Sequence, residues 1–544
     1  MGMILLSPCL MGKLRRNMLD ILIRNGWVVD GSGAPRRRAD VAVEGGRIVE
    51  VGLLEGAGAA RVIDAAGAVV APGFIDMHSH ADFSLPVGPT ADSMVHQGIT
   101  TAVVGQCGDS PVPLLPETRA QVIAAAESAE YSLPWEAWSS FGSYLDHLQQ
   151  TGISVNVVPL VGQGTVRAAV MGFAAGPANP EQVARMQAEV ERALDEGAWG
   201  LSTGLIYPPG CFTPTEEIIA LMQPVGRRGG LYFTHMRDED AGLLDSIAEA
   251  VRIGRESGAG VEISHYKAVG RANWHLSARG LELIEQARSQ GLDVSADLYP
   301  YLATATSLGS LLPDWAREGG KPAILARLAD PQARRRMAAD IAATGRAWDQ
   351  TLVSSSPRRR EYEGHDLATL AAQASKDPVE WLFDALLETE LDIGRISFGM
   401  CEENRELELR YPAMMVGTDA ASCAVEGPLS HGLPHPRTYG TFARVLGHYV
   451  RERRVLTLEE AVWRMTGLAA QKLRLRGRGF VRQGYKADLV VFDPLTVADL
   501  ATYQAPHRYP AGISHVVVNG ALVVDAGAHT QARPGEILRK SSTN

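Results

Sequence analysis

Two histidines stand two residues apart at the end of a short apolar run, Gly73-Phe-Ile-Asp-Met-His-Ser-His80. The apolar residues predict a buried strand, and the Pro-Gly pair at residues 72–73 marks its start. Side chains at positions i and i+2 of a strand point to the same face, so His78 and His80 can aim at one point and hold a transition metal. Two hydrogen-bonded histidines near a strand end would give the same short pattern, so the other strand ends must decide between the two interpretations.

Strands that alternate with helices follow this run through most of the chain, and this order predicts βα units and a parallel sheet. We expect strands at residues 73–80, 100–106, 155–161, 199–203, 231–235, 261–265, 294–299 and 414–419. Apolar residues at helical spacing, each followed closely by glycine, predict helices at residues 181–196, 243–256 and 281–290. Eight such strands make an α/β fold of the TIM type, a (β/α)8 barrel, the economical architecture, with its chemistry at the C-terminal strand ends.

The two ends of the chain show a different pattern, in which apolar and polar residues alternate between frequent turns. Residues 19–71 contain Asn25-Gly26 and Gly45-Gly46 between apolar runs, and residues 487–524 contain Asn519-Gly520 in the same setting. Asn-Gly between two such runs is a strong hairpin signal. We predict that the two ends pair into one small β-sandwich beside the barrel.

These patterns predict the domain boundaries. We expect a disordered extension at residues 1–17, the first part of the β-sandwich at 18–71, the catalytic barrel at 72–478, and the second part of the sandwich with a C-terminal tail at 479–544. In the extension a basic group follows the apolar residues, which is the wrong order for a secretory signal. An insertion at about residues 302–411, rich in arginine and alanine, interrupts the barrel, and we expect helices and a short strand or two there, over the barrel mouth.

The composition excludes several classes of protein. The 544 residues are 46% hydrophobic and carry a net charge of −10, which provides a core but no basic surface for nucleic acid. The sequence contains no apolar run of about 18 residues, so no membrane span is expected. Five widely spaced cysteines argue against a disulfide framework and for the reducing cytoplasm. The oligomeric state stays open.

Metal-binding side chains concentrate at the predicted strand ends. They are His78 and His80 on the first strand, Cys107 after the second, His235 on the fifth, His265 on the sixth and Asp419 on the eighth. Imidazole and thiolate ligands favour zinc over magnesium or calcium. Six ligands exceed the need of one tetrahedral ion, which indicates two ions with a bridging group, and the Cys107 thiolate can be that bridge. Cys107 considered alone would also suit a small buried apolar position.

The strand at residues 72–80, together with His235, His265 and Asp419, resembles the amidohydrolase superfamily. Further motifs are similar to those of the N-acyl-D-amino-acid deacylases (D-aminoacylases), and the resemblance covers residues 19–524. They are Gly105-Gln-Cys-Gly108, Gly197-Ala-Trp-Gly-Leu-Ser-Thr-Gly-Leu205, Ser264-His-Tyr-Lys267, Asp297-Leu-Tyr-Pro300 and His435-Pro-Arg-Thr-Tyr-Gly440. Related dihydroorotases and hydantoinases bridge their metals with a carboxylated lysine on the fourth strand. The fourth strand here has no lysine, and the deacylases use a cysteine after the second strand instead.

The resemblance implies a role for each of these residues. Cys107, His235 and His265 would hold the tighter zinc, and His78, His80 and Asp419 would form a second, weaker site. An active enzyme with only the tighter site filled also agrees with the resemblance. An acylated amino acid carries an α-carboxylate that needs a cation or hydrogen-bond donors. By resemblance Lys267 binds that carboxylate with help from Tyr299 and Ser307, although Lys267 also fits a solvated loop lysine. Arg437 is a further candidate for the same task.

These roles predict zinc-dependent hydrolysis of N-acyl-D-amino acids, a small-molecule substrate, to a carboxylate and a free D-amino acid. Asp419 would take the proton of the attacking water and return it to the leaving amine. A pure ligand role or an N-cap for the next helix would also suit Asp419. The alternatives for the whole protein are another amidohydrolase activity (a dipeptidase or a cyclic-amide hydrolase) and a non-catalytic scaffold, against which the complete ligand set argues.

Overall fold

The computed structural model describes residues 18–540, so the extension expected at residues 1–17 lies outside the described part of the chain. The first strands are β1 (Leu19–Val28), β2 (Arg37–Glu44), β3 (Arg47–Gly52), β4 (Ala59–Asp64) and β5 (Val69–Pro72). Strands β2 and β3 form an antiparallel hairpin through Gly45-Gly46, as the sequence predicts.

The hairpin predicted at Asn25-Gly26 is wrong, because β1 runs through both residues without turning. Its pairing with β2 shifts register between Ile23 and Gly26, so the dipeptide forms an irregularity within one strand. The backbone amide of Asn25 donates to Asp40 Oδ1 (2.9 Å), and its side chain donates to Asp64 Oδ1 (3.0 Å). A Cβ at Gly26 would lie 2.6 Å from Val70 Cγ2, so close packing against β5 explains the glycine.

Eight parallel barrel strands follow, and each overlaps a strand predicted from the sequence. The strands from here to the end of the barrel are β6 (Phe74–Asp76), β7 (Ile99–Val104), β8 (Asn156–Pro159), β9 (Val161–Gly162), β10 (Gly200–Gly204), β11 (Leu231–His235), β12 (Gly260–Ile263), β13 (Val294–Leu298), the insertion strands β14 (Ala303–Ser307), β15 (Thr351–Ser355) and β16 (Gly394–Phe398), and β17 (Met414–Val416). Strands β8 and β9 are consecutive halves of the third barrel strand.

Backbone hydrogen bonds close these strands into a ring. The strand orders are β6-β7-β8 and β9-β10-β11-β12-β13-β17. The amide of Trp199 donates to Pro159 O (2.8 Å), which joins the third and fourth barrel strands, and the amide of Met77 donates to Val416 O (3.2 Å), which joins the first and the eighth. The chain is therefore a (β/α)8 barrel, and the C-terminal ends of its strands meet at one mouth.

The helices of the barrel pack around this ring. They are α1 (Asp92–Val95), α2 (Arg119–Ala126), α3 (Phe141–Thr151), α4 (Gln163–Met171), α5 (Pro180–Asp195), α6 (Thr215–Arg227), α7 (Leu243–Ser257) and α8 (Leu276–Ser289). The helices predicted at residues 181–196, 243–256 and 281–290 correspond to α5, α7 and α8. The side chain of Asn179 caps the start of α5, and Gly258 ends α7 in the left-handed conformation at φ 76°.

The insertion builds its own small layer over the barrel mouth. Strands β14, β16 and β15 pair antiparallel in that order, one strand more than expected. The insertion helices are α9 (Gly320–Ala329), α10 (Pro331–Ala342), α11 (Leu367–Gln373), α12 (Pro378–Glu388) and α13 (Glu402–Arg410). Leu308, Leu328, Leu370 and Phe383 form a separate core here, which holds the insertion together independently of the barrel core.

After β17 the chain completes the barrel and returns to the first sheet. The remaining elements are α14 (Arg437–Arg444), a π-helix (Val445–Glu452), α15 (Leu458–Met465), α16 (Gly467–Lys472), β18 (Leu489–Phe492), β19 (Ile513–Val518), β20 (Ala521–Asp525) and β21 (Ala528–His529). Strand β18 pairs antiparallel with β5, so both chain ends share one nine-stranded sheet. Alternation along β18 places Leu489 in the core of this β-sandwich and Phe492 in the core against the barrel.

Asn519-Gly520 forms the hairpin predicted from the sequence, between β19 and β20. Its residues have φ values of 48° and 83°, which suit a two-residue turn. Within residues 18–540 no helix has the length and apolar character needed to cross a bilayer. The domain boundaries at residues 71 and 478 stay a prediction.

Candidate active site

The side chains predicted as metal ligands converge at the barrel mouth. Cys107 Sγ lies 3.3 Å from His78 Nε2, 3.6 Å from His235 Nδ1 and 3.5 Å from His265 Nε2. Asp419 Oδ1 lies 3.2 Å from His80 Nε2 and 3.5 Å from His78 Nε2. The donor atoms form two groups, within each of which all atoms lie within 4.8 Å of one another, and Cys107 Sγ belongs to both groups.

Three of these residues adopt an unusual backbone conformation directly after their strands. Cys107, His265 and Asp419 have φ values of 54°, 37° and 49°. Left-handed conformations of residues other than glycine are strained, and such strain concentrates at functional sites. The Cys107 backbone packs tightly against the fourth barrel strand, because a Cβ at Gly204 would lie 1.9 Å from Cys107 O. In this conformation the thiol lies among His78, His235 and His265.

The protonation states suit a cation at the centre of these groups. Burial holds the pKa of His235 and of His265 well below the usual range, so both imidazoles are neutral. Burial raises the pKa of the Cys107 thiol well above its usual range, and the carboxylates of Asp419 and Glu239 raise it further. A thiolate needs a compensating positive charge in such a place, and a coordinated metal ion supplies it. The donor set therefore fits a divalent cation with a preference for nitrogen and sulfur ligands.

Arg437 and Asp419 form a buried ion pair beside these donors. Arg437 Nη1 lies 2.6 Å from Asp419 Oδ2, and the Arg437 guanidinium lies 4.5 Å from the centre of the Tyr299 ring. Burial opposes ionisation of Asp419, but the neighbouring Arg437 guanidinium outweighs it and holds the pKa of Asp419 well below its usual range. The buried Tyr299 hydroxyl has no hydrogen-bond partner within residues 18–540. Asp419 is therefore an ionised acceptor, with a free donor close by.

A cavity of about 360 Å³ opens beside the ligands. His80, Cys107, Asp419 and Arg437 line one part of it. Tyr207, Pro208 and Pro209 from the loop after β10 line another part. The rest of the wall is mainly apolar and comes from α2, α4, the loops next to them and the insertion strand β14. The size suits a small molecule, and the charged groups cluster near the metal ligands.

Comparison with known proteins agrees with this geometry. Residues 61–524 match the amidohydrolase family. The chain is 39% identical over 525 residues to a D-aminoacylase of Alcaligenes xylosoxydans xylosoxydans, which covers 96% of this chain and 98% of the relative. The chain belongs to the amidohydrolase family. Within that family it belongs to the N-acyl-D-amino-acid deacylases.

Solved structures of this group of amidohydrolases superpose on the whole chain. An N-acyl-D-glutamate deacylase of Bordetella bronchiseptica matches with a TM-score of 0.82 at 35% identity, over 96% of this chain and 100% of that chain. That protein was crystallised with zinc and a phosphonate inhibitor that mimics the tetrahedral intermediate of the reaction. A D-aminoacylase with a binuclear metal centre, described as activated by one metal and attenuated by the second, matches with a TM-score of 0.80 at 38% identity, over the same shares.

One residue of this site, Glu239, belongs to none of the sequence motifs of the amidohydrolase. Its Oε1 atom lies 2.9 Å from His265 Nδ1 and accepts a hydrogen bond from Lys267 Nζ (2.6 Å), and its Oε2 atom lies 3.7 Å from His235 Nε2. Burial disfavours the charged Lys267 amine, but Glu239 outweighs it and raises the pKa of Lys267. Lys267 is therefore a buried ion-pair partner of Glu239, which excludes the interpretation as a solvated loop lysine.

Ser307, predicted as a substrate-binding residue, does not line the cavity. It is the exposed last residue of β14, and its hydroxyl accepts a hydrogen bond from the amide of Gly309 (3.2 Å). The cavity is lined at this strand by Ala305 and Thr306 instead. The Thr306 hydroxyl lies 3.0 Å from the Tyr207 hydroxyl, so the two side chains close this part of the wall together. The structure thus brings Tyr299 and Arg437 to the site but not Ser307.

Proposed function

We propose that this amidohydrolase hydrolyses the amide bond of N-acyl-D-amino acids and releases a carboxylate and a free D-amino acid. The observation that carries the proposal is the Cys107 thiol, shared between two groups of ligands, next to an ionised Asp419 that Arg437 holds in place. The names of the relatives, a D-aminoacylase and an N-acyl-D-glutamate deacylase, support the same activity.

Zinc is the cofactor that suits these ligands. Cys107, His235 and His265 would hold one ion, and His78, His80 and Asp419 with the shared Cys107 would hold a second, weaker one. A zinc ion held by these residues would polarise the amide carbonyl and would lower the pKa of a bound water to ~7. The zinc in the related Bordetella structure and the binuclear centre of the D-aminoacylase support this assignment.

Asp419 carries the proton in the proposed reaction. Because Arg437 keeps it ionised, Asp419 can accept a proton from the attacking water. The water oxygen bonds to the carbonyl carbon, the carbon–nitrogen bond breaks, and Asp419 returns the proton to the leaving nitrogen. Oδ2 faces Arg437 and Oδ1 faces His80, so the two carboxylate oxygens have different neighbours.

The α-carboxylate of the substrate is bound by the positive groups on the other side of Asp419. Arg437 borders the cavity, and the unpartnered Tyr299 hydroxyl can donate a hydrogen bond. Lys267 lies farther back, against Glu239, and its role in carboxylate binding stays a prediction. Replacement of Lys267 by alanine tests that role, because it should raise KM for acylated amino acids more than for an uncharged amide.

Zinc content and turnover of a small substrate panel test the whole proposal. Protein purified without chelator should contain one or two zinc ions per chain and should hydrolyse N-acyl-D-amino acids but not their L-isomers. Hydrolysis of dipeptides or cyclic amides, without hydrolysis of N-acyl-D-amino acids, would instead identify the protein as a dipeptidase or a cyclic-amide hydrolase of the same family. Protein without bound metal would contradict the assignment of the site.

The cellular compartment is a separate inference. Within residues 18–540 four cysteines are free thiols, namely Cys107, Cys211, Cys401 and Cys423. Free thiols suit a reducing compartment, which supports the cytoplasm that the cysteine spacing predicts.

A further inference from the structure

The cavity has an apolar end, and the proposed reaction does not specify which part of the substrate binds there. Its wall consists of Val122, Ala125, Trp135, Ala168 and Phe173. None of the described residues that line this end is a lysine or arginine, and the carboxyl group of Asp109 lies beside it. An anionic group of the substrate therefore has no partner here, whereas a hydrocarbon group can bury its surface.

This apolar wall is well anchored. The Thr118 hydroxyl donates to Ala169 O (2.6 Å), which ties the start of α2 to α4. The Trp135 ring packs edge-on against Trp138 with centroids 5.3 Å apart. Phe173 O accepts a hydrogen bond from the amide of Gly319 (2.8 Å), so the insertion holds the far side of the wall. The apolar end is therefore a built part of the site and can discriminate between chain lengths.

The order of strands in the ring decides which part of the substrate reaches this end. The apolar residues follow the second and third barrel strands, β7 and β8–β9, whereas Tyr299 and Arg437 follow the seventh and eighth, β13 and β17. In a closed ring of eight, the third strand lies opposite the seventh, and the second strand lies three strands from the seventh. The acyl chain and the α-carbon leave the scissile amide on opposite sides. A substrate whose carboxylate lies near Tyr299, after the seventh strand, therefore directs its acyl chain toward the third strand and the neighbouring second strand.

We propose that the apolar end is the acyl-chain subsite and that the substrates carry an aliphatic acyl group longer than acetyl, such as butanoyl or hexanoyl. The proposal rests on the proposed deacylase function and names the substrate class of that same site. An acetyl group extends only one carbon beyond the scissile carbonyl and offers a single methyl group to the wall. Each added methylene that reaches the wall should raise kcat/KM about fourfold, which is the gain expected from burying one CH2 group.

The test is kcat/KM for the acetyl, butanoyl and hexanoyl derivatives of one D-amino acid. The values should rise along the series, and Ala125→Phe, which fills the apolar end, should lower the hexanoyl-to-acetyl ratio at least about tenfold. Ala124→Phe is the matched control, because Ala124 is an exposed neighbour on α2 outside the cavity wall, and its ratio should equal that of the unmodified enzyme.

Two results would overturn the inference while the proposed function stands. One is a kcat/KM that is flat or falls from acetyl to hexanoyl. The other is an Ala125→Phe variant that changes the preference among D-amino-acid side chains but keeps the acyl-chain ratio, since the apolar end would then hold the side chain. No hydrolysis of any derivative, acetyl included, would instead overturn the deacylase function and this inference with it.

Discussion

Arg437 Nη1 lies 2.6 Å from Asp419 Oδ2, and the other oxygen of the same carboxylate lies 3.2 Å from His80 Nε2. The buried Asp419 carboxylate thus contacts both Arg437, which suits the α-carboxylate of a substrate, and His80, which suits a metal ion. A change at Asp419 or at Arg437 can therefore affect both proton transfer and substrate binding, and the measurements below distinguish these two effects.

Asp419→Asn should retain the fold and the zinc held by Cys107, His235 and His265 but lose turnover. The amide cannot accept the proton of the attacking water, so kcat should fall by at least about 100-fold. The measurement is kcat together with zinc content. Asp499→Asn is a suitable control, because Asp499 pairs with Arg444 outside the cavity and should leave kcat near that of the unmodified enzyme. Full activity of Asp419→Asn would remove the residue from the mechanism.

Arg437→Met should weaken recognition of the α-carboxylate. Loss of a charged hydrogen bond costs about 1.5–3 kcal/mol, so kcat/KM for an N-acyl-D-amino acid should fall about 10- to 100-fold relative to that for its uncharged amide. The ratio between the two substrates cancels the effect of the change on Asp419. Arg444→Met, which removes a partly buried cation stacked on Tyr301, should leave the ratio unchanged. Equal losses with both substrates would argue against carboxylate binding by Arg437.

Glu239→Gln should lower zinc affinity without unfolding the protein. Glu239 contacts His265 on the ring nitrogen opposite the one that faces Cys107, and such contacts orient metal-binding histidines. We expect an affinity about 10- to 100-fold lower, measured by competition with a chelator. Asp238→Asn changes the neighbouring carboxylate, which contacts the amide of Asp240 instead, and should bind zinc as before. Unchanged affinity in Glu239→Gln would leave the residue only as the partner of Lys267.

Glu262→Gln should make the protein more stable at neutral pH. Glu262 is fully buried on β12, and burial raises its pKa well above the usual range despite the nearby Lys472 amine. The unfolded chain loses this proton near pH ~4.3, whereas the folded protein retains it, so the free energy of unfolding falls as pH rises above that value.

The advantage of Glu262→Gln should therefore grow between about pH 5 and pH 8, as measured by denaturant unfolding at each pH. Glu282→Gln, an exposed change on α8, should show a difference from the unmodified protein that does not vary with pH in this way. A constant difference for Glu262→Gln would show that Glu262 ionises in the folded state as it does in the unfolded chain.

The two Asn-Gly pairs show how far local sequence signals reach. Asn519-Gly520 turns the chain between β19 and β20, whereas Asn25-Gly26 lies within the continuous strand β1. Both dipeptides tolerate the same backbone conformations, so their sequence cannot separate the two outcomes. Pairing of β1 with β2 on both sides of Asn25-Gly26 and contact with Val70 decide the matter, and both contacts come from distant parts of the chain.

The sequence by itself determined the eight strands of the barrel and the ligands at their ends. Periodicity marks each strand, and in a parallel barrel every strand delivers its last residues to the same mouth, so His78, His80, Cys107, His235, His265 and Asp419 had to meet.

Only the tertiary structure decided the side chains around those ligands. Glu239 reaches His265 from an irregular loop, and Ser307 turns away while Thr306 lines the cavity. The path of the Glu239 loop depends on what it packs against, and the face that Ser307 takes on β14 depends on the pairing of β14 with β16, a strand far along the chain. The buried pairing of Lys267 with Glu239 and of Arg437 with Asp419 likewise depends on distances between separate loops, which no spacing along the chain encodes.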